Sequence, residues 1–217
     1  MRTRVKICGV TRPQDAFAAA EAGADAIGVV FHSASPRGIS AERAVEIFRA
    51  AGALVTCVGL FVDENIDRIR QIAQQTAVAV IQLHGEESPD IVRSLAPLRV
   101  IKAIVADKNL HQSLETWRAS RPPNLIGLVL ETPTGGAPGG TGVANDWTLI
   151  ERQIHSGDFA GLPPIIAAGG LTAETVGEVI RRLRPWAVDV SSGVEVRKGE
   201  KSAEKIAAFM KAVKDTD

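Results

Sequence analysis

Short apolar runs alternate with longer amphipathic stretches from one end of the chain to the other. Asp25-Ala26-Ile27-Gly28-Val29-Val30-Phe31 is almost continuously apolar, the pattern of a strand covered on both faces. Comparable runs lie at 54–61, 78–83, 100–104, 125–130, 165–168 and 187–190, and with the opening Arg4-Val5-Lys6-Ile7-Cys8-Gly9 they make eight predicted strands. Helical patterns fill the gaps. Val176, Val179, Ile180 and Leu183 recur at i, i+3, i+4 and i+7, one face of a helix, and Ile66, Ile69, Ile72 and Ala73 repeat it less cleanly. Thr11-Arg12-Pro13-Gln14 has the spacing of a capping box with proline in the first turn, and Ser88-Pro89 reads as an N-cap followed by proline at the first helical position. The stretch 104–124, with His111, Trp117 and Pro122-Pro123, is the weakest helix and is expected to be partly irregular.

Alternating strand–helix units imply a parallel sheet. Eight such units fill the 217 residues and leave little room for a second domain. The expected architecture is a single closed (β/α)8 TIM barrel over residues 1–217. A doubly wound open sheet is the alternative. It usually needs fewer strands and often carries an early Gly-x-Gly-x-x-Gly, which this chain lacks.

Composition narrows the function classes. The hydrophobic content of 45% supports a full core. With 25 basic and 25 acidic residues the net charge is zero, which argues against a general nucleic-acid binder and is compatible with a local anion site. The two cysteines, Cys8 and Cys57, both fall in predicted strands, make no disulfide framework and fit a reducing compartment. No apolar run approaches a membrane span, and Met1-Arg2-Thr3-Arg4 leads into a strand rather than a signal peptide. A cytoplasmic protein without membrane partners is expected.

In a barrel the chemistry sits at the carboxyl ends of the strands. Cys8 ends the first strand. A thiol there serves as nucleophile or proton-transfer base if its pKa is near neutrality; the other reading is a small buried apolar residue. His32 and Ser35-Pro36-Arg37 follow strand two, Asp63 strand three, Gln82-Leu83-His84-Gly85-Glu86 strand four, Lys102 strand five and Glu131 strand six. Gly169-Gly170 follows strand seven and Ser191-Ser192-Gly193 strand eight. Glycine-rich turns there present backbone N–H groups to a phosphate; simple tight turns are the alternative. The planar fork of Arg37 suits a carboxylate or phosphate, unless it is an exposed arginine at a helix approach. His84 is a ligand, a proton shuttle or a rim hydrogen-bonding group. Gly135–Gly142 looks superficially like a P-loop but has no lysine after its last glycine, so a mobile loop over the barrel mouth fits better, with a merely loose connection as the other reading. His32, His84, His111 and His155 show no metal-type spacing, and no metal site is expected.

Six segments in barrel order carry a resemblance: Lys6-Ile7-Cys8-Gly9-Val10-Thr11, Ser35-Pro36-Arg37, Gln82-Leu83-His84-Gly85, Gly139-Gly140-Thr141-Gly142 with Asp146-Trp147, Ala168-Gly169-Gly170-Leu171, and Asp189-Val190-Ser191-Ser192-Gly193-Val194-Glu195. Along essentially its full length the chain resembles the phosphoribosylanthranilate isomerases of tryptophan biosynthesis. The resemblance implies an Amadori rearrangement of N-(5′-phosphoribosyl)anthranilate to 1-(2-carboxyphenylamino)-1-deoxyribulose 5-phosphate. It implies no cofactor, because the imine nitrogen is the electron sink. It makes Cys8 the base, as a thiolate favoured by a helix N-terminus or nearby Lys6, and Arg37 the holder of the anthranilate carboxylate. It places the phosphate on Gly169, Gly170, Ser192 and Gly193, and counts His84 and Asp189 with the substrate-binding residues. The family usually carries aspartate as the acid at the end of the sixth strand; here that place holds Glu131, one methylene longer. Asn145 is a second departure, where an aromatic residue is usual. The partner implied is a small phosphosugar, in a monomer or homodimer. Two rivals stay open: the related histidine-pathway isomerase, disfavoured by Cys8 where that family has aspartate, and a non-catalytic barrel that binds phospho-ligands.

Overall fold

The computed structural model describes residues 2–131 and 147–217. Eight strands, β1 (Arg4–Ile7), β2 (Ala26–Val30), β3 (Thr56–Phe61), β4 (Val80–Leu83), β5 (Arg99–Val105), β6 (Leu125–Glu131), β7 (Ile165–Ala167) and β8 (Ala187–Val190), form one closed barrel. Every pairing around it is parallel, and β1 closes on β8 with Lys6 opposite Asp189 and Ile7 opposite Val190. The helices outside are α1 (Pro13–Glu21), α2 (Ala41–Ala51), α3 (Ile66–Thr76), α4 (Pro89–Ser94), α5 (Leu110–Ser120), α6 (Trp147–His155), α7 (Val176–Leu183) and α8 (Ala203–Lys214). The (β/α)8 barrel expected from the alternation is the fold observed.

The period of two along each strand sorts the side chains into two cores. Val5, Ile7, Phe61, Leu128, Leu130, Val188 and Val190 face the helices, where Val176, Val179 and Ile180 of α7 meet the same cluster. Val58, Val80, Ile101, Val129, Ile166 and Ala187 fill the floor of the barrel. Cys8, Val30 and Leu60 form a small cluster nearer the strand ends. Lys6 and Cys8 alternate with the helix-facing Val5 and Ile7, so the same periodicity turns a lysine and a thiol into the lumen. A cavity of about 540 Å³ opens at the opposite, amino-terminal end of the barrel beside Arg4, Arg99 and Trp186.

Local departures have local causes. β3 begins at Thr56, where pairing with Ala26 begins, and Leu54 before it is 99% exposed. The stretch around α5 is a regular helix rather than a partly irregular one: Leu110, Leu114 and Trp117 are buried on one face, and Pro122-Pro123 fall beyond its left-handed cap at Arg121. The capping box at Thr11 does not form. Arg12 is the N-cap without a side-chain cap bond, its guanidinium taken by Asp15, and the Thr11 hydroxyl donates to Gly199 O. Ser88 is the N-cap of α4, but its hydroxyl makes no cap bond. After β8 a 3-10 turn (Ser192–Val194) leads into a hairpin, β9 (Glu195–Arg197) and β10 (Glu200–Lys201), that the apolar pattern did not indicate. Among the described residues no helix is long and apolar enough to cross a membrane.

Candidate active site

β1 and β8 together build one wall of the barrel mouth. The Lys6 ammonium donates to Asp189 Oδ2 at 2.7 Å, with both side chains 5% exposed. Burial works against the Lys6 charge, but Asp189 and Cys8 outweigh it and hold the ammonium above its ordinary range. Asp189 Oδ1 is buried without a partner. At Cys8 burial is the largest influence and pushes the thiol up, while Lys6 pulls it down; the net direction is upward. The lowered thiol expected from Lys6 is therefore corrected: the lysine acts in the expected direction, and desolvation of the thiolate wins.

The last residue of β6, Glu131, faces the same space. Burial, reinforced by Asp189 and opposed by Lys6, raises its carboxyl to about 8. It is therefore mostly protonated at neutral pH. His84, just past β4, has Nε2 3.9 Å from Glu131 Oε1, and its Nδ1 lies 3.2 Å from the Gln82 amide nitrogen. Burial, with the charges of Lys102 and Lys6, lowers His84 to about 4, so the ring is neutral and Gln82 donates to Nδ1. That arrangement puts the ring hydrogen on Nε2, the nitrogen that lies 3.9 Å from Glu131 Oε1.

Arg37 is not an exposed helix-approach arginine; it is buried. Its Nε and Nη2 donate to Glu195 Oε1 and Oε2, each at 2.8 Å. The same Glu195 Oε1 accepts from Lys201 at 2.9 Å, and Lys201 also donates to Ser191 O at 3.0 Å. Arg37 crosses the end of β1 where residue 9 has no side chain. A Cβ on Gly9, itself at φ +70°, would stand 2.4 Å from Arg37 Cδ.

The loops after β7 and β8 touch. A Cβ on Gly193 would lie 1.9 Å from Leu171 O, so only glycine permits this approach. Gly169 and Gly170 both have positive φ, 99° and 63°, and their N–H groups find no acceptor among the described residues. Such a run of free N–H groups suits an anion.

The family model for N-(5'phosphoribosyl)anthranilate (PRA) isomerase matches residues 5–212. The chain belongs to this family. It is similar to the N-(5'-phosphoribosyl)anthranilate isomerase of Pseudomonas putida, 42% identical over 97% of each chain. Among solved structures it is similar to phosphoribosyl anthranilate isomerase from Thermotoga maritima, with TM-score 0.86 and 36% identity over 98% of this chain and 99% of that one. A further phosphoribosyl anthranilate isomerase structure, 34% identical with TM-score 0.83, covers 98% of this chain and 99% of that one, and holds reduced 1-(o-carboxyphenylamino)-1-deoxyribulose 5-phosphate.

Within this phosphoribosylanthranilate isomerase barrel the structure gathers Cys8, Asp189, Glu131 and His84 around one lumen, with Arg37 and the two glycine turns at its rim. Two residues expected at strand ends have other work. Lys102 lies inside β5 between the helix-facing Val100 and Ile104, and its ammonium donates to Gly85 O and Ala103 O at 2.8 Å and pairs with Glu87 at 3.2 Å. Asp63 Oδ1 accepts from Glu86 N at 2.7 Å, while Glu87 accepts from Asp63 N at 2.9 Å and from Gly85 N at 2.9 and 3.1 Å. Together they clamp the turn that follows His84. Sequence reading assigned no role to Glu195, Lys201, Gln82 or Glu87. The one available signal was Lys198-Gly199 between charged residues, a two-residue hairpin turn that brings Lys201 back to Glu195. Gly135–Gly142, Asn145 and Asp146 lie outside the described residues. Among the described residues no cluster of His, Cys, Asp and Glu could hold a metal ion.

Proposed function

We propose that this barrel isomerises N-(5′-phosphoribosyl)anthranilate to 1-(2-carboxyphenylamino)-1-deoxyribulose 5-phosphate, a step of tryptophan biosynthesis, with Glu131 as general acid and Cys8 as general base. The protonated Glu131 gives its proton to the ribose ring oxygen. The C1′–O bond breaks and the nitrogen lone pair closes the Schiff base. The Cys8 thiolate takes the C2′ proton, and the released electron pair is drawn to the imine nitrogen, leaving an enolamine. The 2′-hydroxyl then loses a proton as C1′ gains one, and the ketone forms. A proton returns from Cys8 to Glu131, so the cycle needs no oxidant or cofactor.

The observation that carries this reading is a carboxyl raised to about 8 facing the same lumen as a thiol beside a lysine ammonium. Two titratable groups with such environments are what acid–base catalysis on one substrate requires. Arg37, held rigid by Glu195, takes the anthranilate carboxylate. Gly169, Gly170, Ser192 and Gly193 take the phosphate, and His84 and Asp189 line the sugar between them. Anchoring both ends of the substrate turns position into rate.

The test is a fluorescence assay of freshly generated phosphoribosylanthranilate with wild type, Cys8→Ser and Glu131→Gln. Loss of turnover in each folded variant is expected. Near-normal turnover in Cys8→Ser would sink the assignment of the base. Wild type that binds a product analogue without turning over substrate would replace the enzyme by the phospho-ligand-binding barrel.

A further inference from the structure

Residue 28 sits in the middle of β2, where glycine costs strand stability and where its φ is not in the left-handed region that would require it. Its use lies in the space it leaves. A Cβ built on Gly28 would stand 3.0 Å from Lys6 Cε, 3.1 Å from Cys8 Sγ and 3.3 Å from Lys6 Nζ. The ammonium and the sulfur therefore converge on one point that is vacant because residue 28 has no side chain. A side chain there requires one of them to give by a few tenths of an ångström. Lys6 cannot retreat freely, because its ammonium is tied to Asp189 at 2.7 Å across the β1–β8 seam.

The charged groups acting on Cys8 come from four places: Lys6 on its own strand, Asp189 on β8, Lys201 on β10, and Arg37 beyond β2. Lys201 and Arg37 are both bound to Glu195, which offsets their charge. Glu131 faces Lys6 and Asp189 from β6. Lys6 is thus the cation placed to act on the sulfur, and Asp189 sets how much of its charge the sulfur feels.

We propose that Gly28, Lys6 and Asp189 form a positioning set for Cys8: Gly28 provides the gap in which ammonium and sulfur meet, and Asp189 anchors the ammonium there. None of the three needs to touch the reacting atoms for this role. It rests on the reading of Cys8 as the base, and it makes predictions of opposite sign for the two members of one ion pair.

The experiment is the pH dependence of Cys8 alkylation by iodoacetamide in a Cys57→Ala background, which leaves one thiol. Lys6→Met is expected to slow alkylation at pH 8 on the order of 10-fold or more, because the thiolate loses its cation and keeps the repelling carboxylate. Asp189→Asn, whose amide oxygen still accepts from the ammonium and keeps it in place, is expected to speed it on the order of severalfold to 10-fold, because the carboxylate charge that repels the thiolate and offsets the lysine is gone. Gly28→Ala is expected to slow it with the circular dichroism spectrum kept, and to lower kcat with KM unchanged. Gly59→Ala, whose added Cβ would meet Phe31, Val78 and Phe61 instead, is expected to leave the alkylation profile unmoved. Should Gly28→Ala fail to fold, the opposed effects at Lys6 and Asp189 still decide. A profile unmoved by Lys6→Met and Asp189→Asn overturns the proposal. A profile that moves while kcat stays constant supports the positioning set and overturns the role of Cys8 as base.

Discussion

The Arg37 guanidinium grips Glu195 through two parallel bonds of 2.8 Å, Nε to Oε1 and Nη2 to Oε2, with both side chains at most 7% exposed. Lys201 joins the same carboxylate at 2.9 Å with no solvent exposure of its side chain. One buried anion thus serves two buried cations, and it fixes the guanidinium at the barrel mouth.

Removing that anion takes the shared carboxylate away from both cations. Glu195→Gln is expected to lose about 3–5 kcal/mol of stability in urea unfolding at neutral pH, the usual scale for breaking a buried pair. KM is expected to rise more than kcat falls, because Arg37 loses its orientation. Burial pushes the Glu195 carboxyl up, yet Arg37 and Lys201 outweigh it and hold it below the ordinary range. A depressed carboxyl contributes stability that is present above its unfolded value, about pH 4.3, and lost as pH falls through the lower folded value. The wild type should show that acid loss and Glu195→Gln should lack it.

Glu131 has the opposite sign. Its carboxyl is about 8 in the fold against about 4.3 unfolded, so the folded state holds the extra proton between those values and stability declines as pH rises through them. Glu131→Gln, neutral throughout, is expected to be more stable than wild type by on the order of 3–5 kcal/mol at and above pH 8. The same variant should lose on the order of 100-fold or more in kcat. Glu131→Asp, the acid usual in the family, should retain or raise turnover. A loss there as large as in Glu131→Gln would mean the site has re-formed around the longer side chain.

The two titrations shape the pH profile. In the proposed mechanism Cys8 must be ionised and Glu131 protonated, but the acid has the lower pKa, because burial lifts Cys8 above its ordinary range while Glu131 stands at about 8. kcat/KM should rise with pH up to about 8, level off where the loss of the Glu131 proton cancels the gain in thiolate, and fall only above the Cys8 pKa. A profile that peaks near pH 6 and declines by pH 8 would show that the two working groups do not have these raised proton affinities.

Gly193→Ala tests the proposed phosphate end. A methyl 1.9 Å from Leu171 O must drive the two loops apart. The expected result is a rise in KM of roughly 10-fold, about 1.4 kcal/mol, with a smaller change in kcat. Inorganic phosphate should compete with substrate in the wild type and less well in the variant.

The barrel was legible because its signal is local. Eight apolar runs and the α7 stripe of Val176, Val179, Ile180 and Leu183 announce strands and helices through periodicity alone, and the strand ends follow from where the runs stop. Boundaries were less so. Leu54 looks like strand but has no neighbour to pair with, and Thr11 has cap spacing but finds Gly199 closer to hand. Lys102 shows the limit of counting from strand ends: β5 runs on to Val105, so a residue read as rim is mid-strand and faces the helices.

Sequence by itself determined the closed eightfold alternation, the thiol and carboxyl at strand ends one and six, and the glycines after strands seven and eight. Tertiary structure alone decided who meets whom. Lys6 and Asp189 are 183 residues apart and Arg37 and Glu195 are 158 apart, brought together by barrel closure and by a hairpin with only a weak local signal. It also decided the proton affinities. The desolvation that raises Glu131 and Cys8, and the ion pair that opposes it at the thiol, depend on the burial and charge around each atom, and those exist only once β1, β6 and β8 share one lumen.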